Sequence, residues 1–124
     1  MTMRPLPLER VSSTSDAVLG ASRIGGAFVP VIDLAQLVTG KRANDPKRFA
    51  LLQVGERSVA AAVDAVLQVM DLPPETISHM PPLLTHTNER IAGIAQLDGR
   101  LLAVLSSMLL VQDVDLPDAG LVTI

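Results

Sequence analysis

Two runs of alternating apolar residues meet at Asp98-Gly99, in the stretch RIAGIAQLDGRLLAVL from Arg90 to Leu105. Asp-Gly is one of the few dipeptides that accepts positive φ at both central positions of a type I′ turn, whose twist suits antiparallel strands. Nothing else in the chain limits the fold as much, because it fixes a β-hairpin on local chemistry alone. A second hairpin arm is RFALLQV, Arg48 to Val54, followed by the turn GERS.

The run SRIGGAFVPVIDL, Ser22 to Leu34, combines strand and anti-strand features. Gly25-Gly26 is a turn. After it, Phe28, Ile32 and Leu34 alternate with Val29, Val31 and Asp33, the period of a strand. Pro30 has no N–H for a ladder, which places this strand on an edge or at a bulge. Asp33 is suited to cap a short helical turn, LAQLVTG, that stops at Gly40. Pro and Asp therefore mark where a strand leaves its sheet.

Other segments carry weaker signals. Met1 to Leu8 is extended by Pro5 and Pro7. Ser13 with Asp16 has capping-box spacing and predicts a short helix near 13–20 that ends at Gly20. KRANDPK is a solvated connector. In Val59 to Leu72, residues Val59, Val63, Val66, Leu67 and Met70 fall at helical spacing, while Val59, Ala61, Val63, Leu67 and Val69 also fit one face of a strand. Pattern alone leans to the helix. Pro74-Glu75 starts a single helical turn, and Ser106 or Ser107 caps a short helix near 106–112. Residues 113–124 read as a tail, leaving residues 1–112 as a single domain.

Little here supports catalysis. P-loop, dinucleotide and nucleophile-elbow fingerprints are missing. The only histidines, His79 and His86, sit in a proline-rich stretch without the spacing of metal ligands. Asp33 and Asp64 are better read as a cap and a bend residue than as an acid–base pair. With no cysteine there is no thiolate or disulfide framework. The net charge of -3 argues against nucleic acid, and an aromatic content of 2% argues more strongly, because single-strand binders stack bases on rings. No stretch has the length of a membrane span or a signal peptide, so the expectation is a cytoplasmic protein with no cofactor and no metal, which is not an enzyme.

The order of motifs resembles the CheW family of bacterial chemotaxis coupling proteins. GGAFVPVIDL is similar to the family's Arg-Gly-x-x-x-Pro-x-x-Asp-Leu strand, VDAV (Val63 to Val66) to its Val-Asp-x-Val, and LPPETI to the segment that follows. The likeness runs from about Leu6 to Val111. It implies an all-β fold of two small SH3-like β-barrels. It also implies that Val59 to Leu72 is a long strand bent at Asp64 and buried on both faces. The implied function is an adaptor that joins the cytoplasmic tip of a chemoreceptor (a methyl-accepting protein) to the regulatory domain of a CheA-type histidine kinase. The chain departs from the family at two points. The family's first two strands precede the segment that MRPLP resembles, so the start is either truncated or completed by a partner or by strand exchange in a homo-oligomer. Gly25 stands where the family has the receptor-facing Arg, with Arg23 two residues earlier; Gly20 and Val69 fall at other positions of that surface.

Overall fold

The computed structural model describes residues 1–42, 45–79 and 91–116. They form two compact units. One is Met1–Leu67 together with the chain from Asp113 onward; the other is Gln68–Gln112. The first carries β1 (Thr2–Met3), β2 (Val18–Ile24), β3 (Ala27–Asp33), α1 (Leu34–Thr39), β4 (Arg48–Val54) and β5 (Arg57–Val63), in one sheet of order β1-β4-β5-β3-β2. The second carries a 3₁₀ turn (Pro74–Thr76), β6 (Ile77–His79), β7 (Ile91–Leu97), β8 (Arg100–Leu105) and α2 (Ser107–Val111), with sheet order β6-β7-β8. The fold is therefore β-rich with short helices, in two sheets. Neither sheet closes into a barrel among the described residues.

Turn chemistry sets the hairpins. Asp98 (φ 50°) and Gly99 (φ 76°) both take positive φ between β7 and β8, as a type I′ turn requires. Gly55 (φ 61°) and Glu56 join β4 to β5. That turn is shorter than GERS suggests, because Arg57 and Ser58 already pair with Val54 and Gln53. Asp33 caps α1 by accepting from the Gln36 amide at 3.2 Å, and Gly40 ends the helix in the left-handed region.

Pro30 does not sit on an edge. β3 lies inside the sheet, antiparallel to β2 and parallel to β5. Pro30 pairs with Ala21, whose own N–H and C=O are turned away to Glu9. The pair therefore needs no N–H from Pro30 on that side. On the other side, pairing with β5 begins only at Val31. The bulge is on the partner strand, at Leu19, between Val18 and Gly20.

Two further expectations are corrected. No helix forms near 13–20: the chain makes a turn, and Val18 enters β2. Ser13 Oγ accepts from the Ser15 amide instead of capping a helix. One helical turn is costly to nucleate, whereas β2 gains a full ladder with β3. In Val59 to Leu72 neither the helix nor the long bent strand is present. β5 ends at Val63, Asp64 makes a bend, and residues 65–73 have no regular structure. Helical spacing loses to sheet pairing because β5 is bonded on both sides, to β4 and β3.

The core follows from that central position. Val29, Val31, Phe49, Ala60 and Ala62 form a buried cluster, and Met3, Leu6, Leu19, Ile24 and Leu51 pack against it. Val59, Ala61 and Ile32 are also buried, so β3 and β5 are covered on both faces. The N-terminal segment runs alongside the outer edge of β2: Ser22 Oγ donates to the Pro7 carbonyl at 2.9 Å, and Glu9 and Ala21 exchange backbone bonds of 2.7 and 2.9 Å. Beyond Gln112, Asp115 is hydrogen-bonded to residues 13–15 of the first unit.

Candidate protein-binding surface

The β2–β3 hairpin ends in Gly25 (φ 61°) and Gly26 (φ 82°), a pair suited to a tight two-residue turn. Next to it Arg23 and Phe28 are cross-strand partners, and the guanidinium carbon lies 4.8 Å from the centre of the Phe28 ring. The stacked ring holds the exposed Arg23 along the hairpin surface. Beside this tip is an open cleft of about 280 Å³. Ile24, Phe28, Val29 and Leu51 give it an apolar lining, and Glu56 and Arg57 bring charge to it. Small-molecule sites more often occupy ~300–1,000 Å³ and converge several polar groups.

The four residues expected on a receptor-facing surface are placed unequally. Arg23 and Gly25 are exposed and share the hairpin tip. Gly20 is buried in β2, and a Cβ added there meets the Glu9 carbonyl oxygen at 2.5 Å. Its requirement for glycine is thus explained by chain packing. Val69 is 80% exposed in the second unit, on the segment without regular structure.

The sequence reading missed a second exposed group. β8 ends its sheet, and Arg100, Leu101, Leu102 and Ala103 are all exposed, Leu101 to 75%. The signal was present as LLAVL, a strand without alternation. Apolar residues exposed on both faces of a strand mark a contact surface more often than a folding core. Among the described residues no three His, Cys, Asp or Glu side chains are grouped to hold a metal ion. Asp33 is a buried cap and Asp64 an exposed bend residue. His79 lies in β6, while His86 falls outside the described residues. Among the described residues no helix is long and apolar enough to cross a membrane.

The family model for the CheW-like domain matches residues 1–115. This chain belongs to the CheW-like domain family. It is 29% identical over 99 residues to the chemotaxis protein CheW of Klebsiella aerogenes, and 30% identical over 91 residues to a probable chemotaxis protein CheW of Rhizobium etli. These matches cover 77% and 71% of this chain, but only 60% and 59% of the relatives' lengths. The crystal structure of the scaffolding protein TtCheW from Thermoanaerobacter tengcongensis has the same fold, with a TM-score of 0.74 at 21% identity, over 88% of this chain and 73% of that one. The CheW-like fold accounts for the two small sheets.

Proposed function

We propose that this CheW-like domain is a chemotaxis signalling adaptor that works by binding and not by turnover. Its partners are the cytoplasmic tip of a chemoreceptor and the regulatory domain of a CheA-type histidine kinase, and it acts in the cytoplasm. The family match over residues 1–115 carries this reading. The surface supports it, since the chain offers aliphatic contact area at Val69, Leu101 and Leu102 and a cleft with a charged rim beside Arg23. Arg23 and Gly25 form the receptor-facing tip in this proposal. Gly20 supports the tip from inside β2, and Val69 is proposed as a separate receptor contact on the second unit.

Gly25 favours a second reading, a CheW-like structural or oligomerisation module without receptor coupling, because a receptor-facing Arg is replaced there by a residue with no side chain. Binding of the purified chain to a receptor cytoplasmic tip and to a kinase regulatory domain, measured separately by biolayer interferometry, distinguishes the two. Binding to both supports the adaptor. Binding to neither, with a tight strand-exchanged dimer in solution, rejects it. Gly25→Arg refines the result: gain of receptor binding without change at the kinase domain assigns the tip to the receptor.

A further inference from the structure

Residues 13–15 are Ser-Thr-Ser, and they hold one residue about a hundred positions away. Ser13 Oγ donates to the Asp115 carbonyl at 2.6 Å. The Thr14 amide and Thr14 Oγ1 both donate to Asp115 Oδ2, at 2.9 and 3.1 Å. The Asp115 amide donates to Ser15 Oγ at 2.9 Å. The amide, the carbonyl and the carboxylate of one residue are thus all engaged by three consecutive residues. Ser13 Oγ also accepts from the Ser15 amide at 3.1 Å, which holds the turn in shape.

The turn passes this contact inward. Ser15 O accepts from the Val18 amide at 3.2 Å, and Ala17 O accepts from the Asp33 amide at 2.7 Å. Asp33 in turn caps α1. A continuous line of hydrogen bonds and short backbone links therefore runs from Asp115 to the N-cap of a helix. All of the bonds to Asp115 are exposed to water, so each contributes little alone. Two of them end on a carboxylate, which makes them charge-assisted and sensitive to charge on the donor side. Few residues need ordering to make the contact, because Leu110 and Val111 are already buried.

We propose that Asp115 is a charge-sensitive latch, which clips residues 113–116 onto the Ser13–Ser15 turn and steadies the start of α1. A negative charge at Thr14 replaces the donating hydroxyl with a group that repels the carboxylate, and opens the latch. Hydrogen exchange of the full-length chain, followed by mass spectrometry, tests this with Asp115→Ala, Thr14→Glu and Thr14→Ser. The first two are expected to speed exchange of residues 12–18 and 112–116 by about tenfold or more, with a smaller rise at residues 33–37. Thr14→Ser keeps the donor and should match the wild type. The β7–β8 hairpin should be unchanged in all three. Wild-type exchange at 12–18 in Asp115→Ala overturns the proposal. Equal acceleration across the whole chain does so as well, since it would make Asp115 a general support of the fold. If Thr14→Ser behaves like Thr14→Glu, the charge basis is wrong.

Discussion

Gly20→Ala is expected to cost the first sheet far more than a glycine-to-alanine change normally does. Gly20 has φ 150°, a conformation L side chains rarely adopt, and occupying it costs about 1–3 kcal/mol. The added methyl also meets Glu9 O at 2.5 Å and Leu8 Cβ at 3.5 Å. Glu9 O cannot swing aside, because it is backbone and accepts the Ala21 amide at 2.9 Å, while Glu9 N donates to Ala21 O at 2.7 Å. Withdrawing the segment weakens both bonds, at roughly 0.5–1.5 kcal/mol each. The sum is about 2–6 kcal/mol, a large fraction of the ~5–15 kcal/mol that holds a domain. At roughly 4 °C per kcal/mol for a chain of this size, Tm should fall by ~10 °C or more. Thermal melting by circular dichroism reads the shift, and hydrogen exchange at residues 9 and 21 locates it. A Tm within about 2 °C of wild type, with unchanged exchange at residues 9 and 21, would refute the packing account.

In the second unit, Gly93→Ala places a methyl 2.6 Å from Ser78 O and 2.8 Å from Ile77 Cγ2, so β6 must detach or shift. A loss of about 1–3 kcal/mol is expected, seen as faster exchange over residues 77–79 and 91–97 with the first sheet unaffected. Asp33→Ala removes the cap of α1 and should cost about 1–2 kcal/mol in a denaturant melt, whereas Asp33→Asn keeps an acceptor and should retain most of it. A Cβ added at Gly25 meets no atom within 4 Å, so the expected cost of Gly25→Arg is mainly the left-handed φ of 61°, about 1–2 kcal/mol. A Tm drop much beyond ~8 °C would show that the hairpin tip is packed and not open.

The most local signals in the sequence translated most directly into structure. Asp98-Gly99, Asp33 with Gly40, and Pro74-Glu75 each encode their conformation within a few residues, and each appears where expected. Segments whose state depends on distant partners did not. Ala60 to Ala62 favour a helix by propensity, but they pair with Leu51, Ala50 and Phe49 on one side and with Val31, Ile32 and Asp33 on the other. Ser13 with Asp16 has the spacing of a capping box, yet its hydroxyl serves a turn whose other half is Asp115. The surface was legible in outline. Arg23 and Gly25 lie at an exposed tip, but periodicity gives no hint that Gly20 is covered by Glu9, nor that Leu101 and Leu102 of β8 face solvent.

No internal repeat is visible in the sequence, yet the two sheets solve one problem in the same way. β2 is irregular between Val18 and Gly20, and β7 between Ile91 and Gly93, so each carries an extra residue immediately before a glycine. At each glycine a backbone carbonyl of a neighbouring segment sits where a Cβ would project, Glu9 O over Gly20 and Ser78 O over Gly93. A bulge sharpens the local twist and bends the strand. The glycine beside it lets the adjoining segment approach closer than any side chain allows. Small sheets of five and three strands have little apolar area to hold short flanking pieces. Close backbone approach supplies that hold instead, through the Glu9–Ala21 bridge in one sheet and the β6–β7 ladder in the other. Gly20 and Gly93 are therefore equivalent by role though not by sequence context. The physical constraint is a carbonyl resting on a bulged strand, and it favours glycine in both sheets.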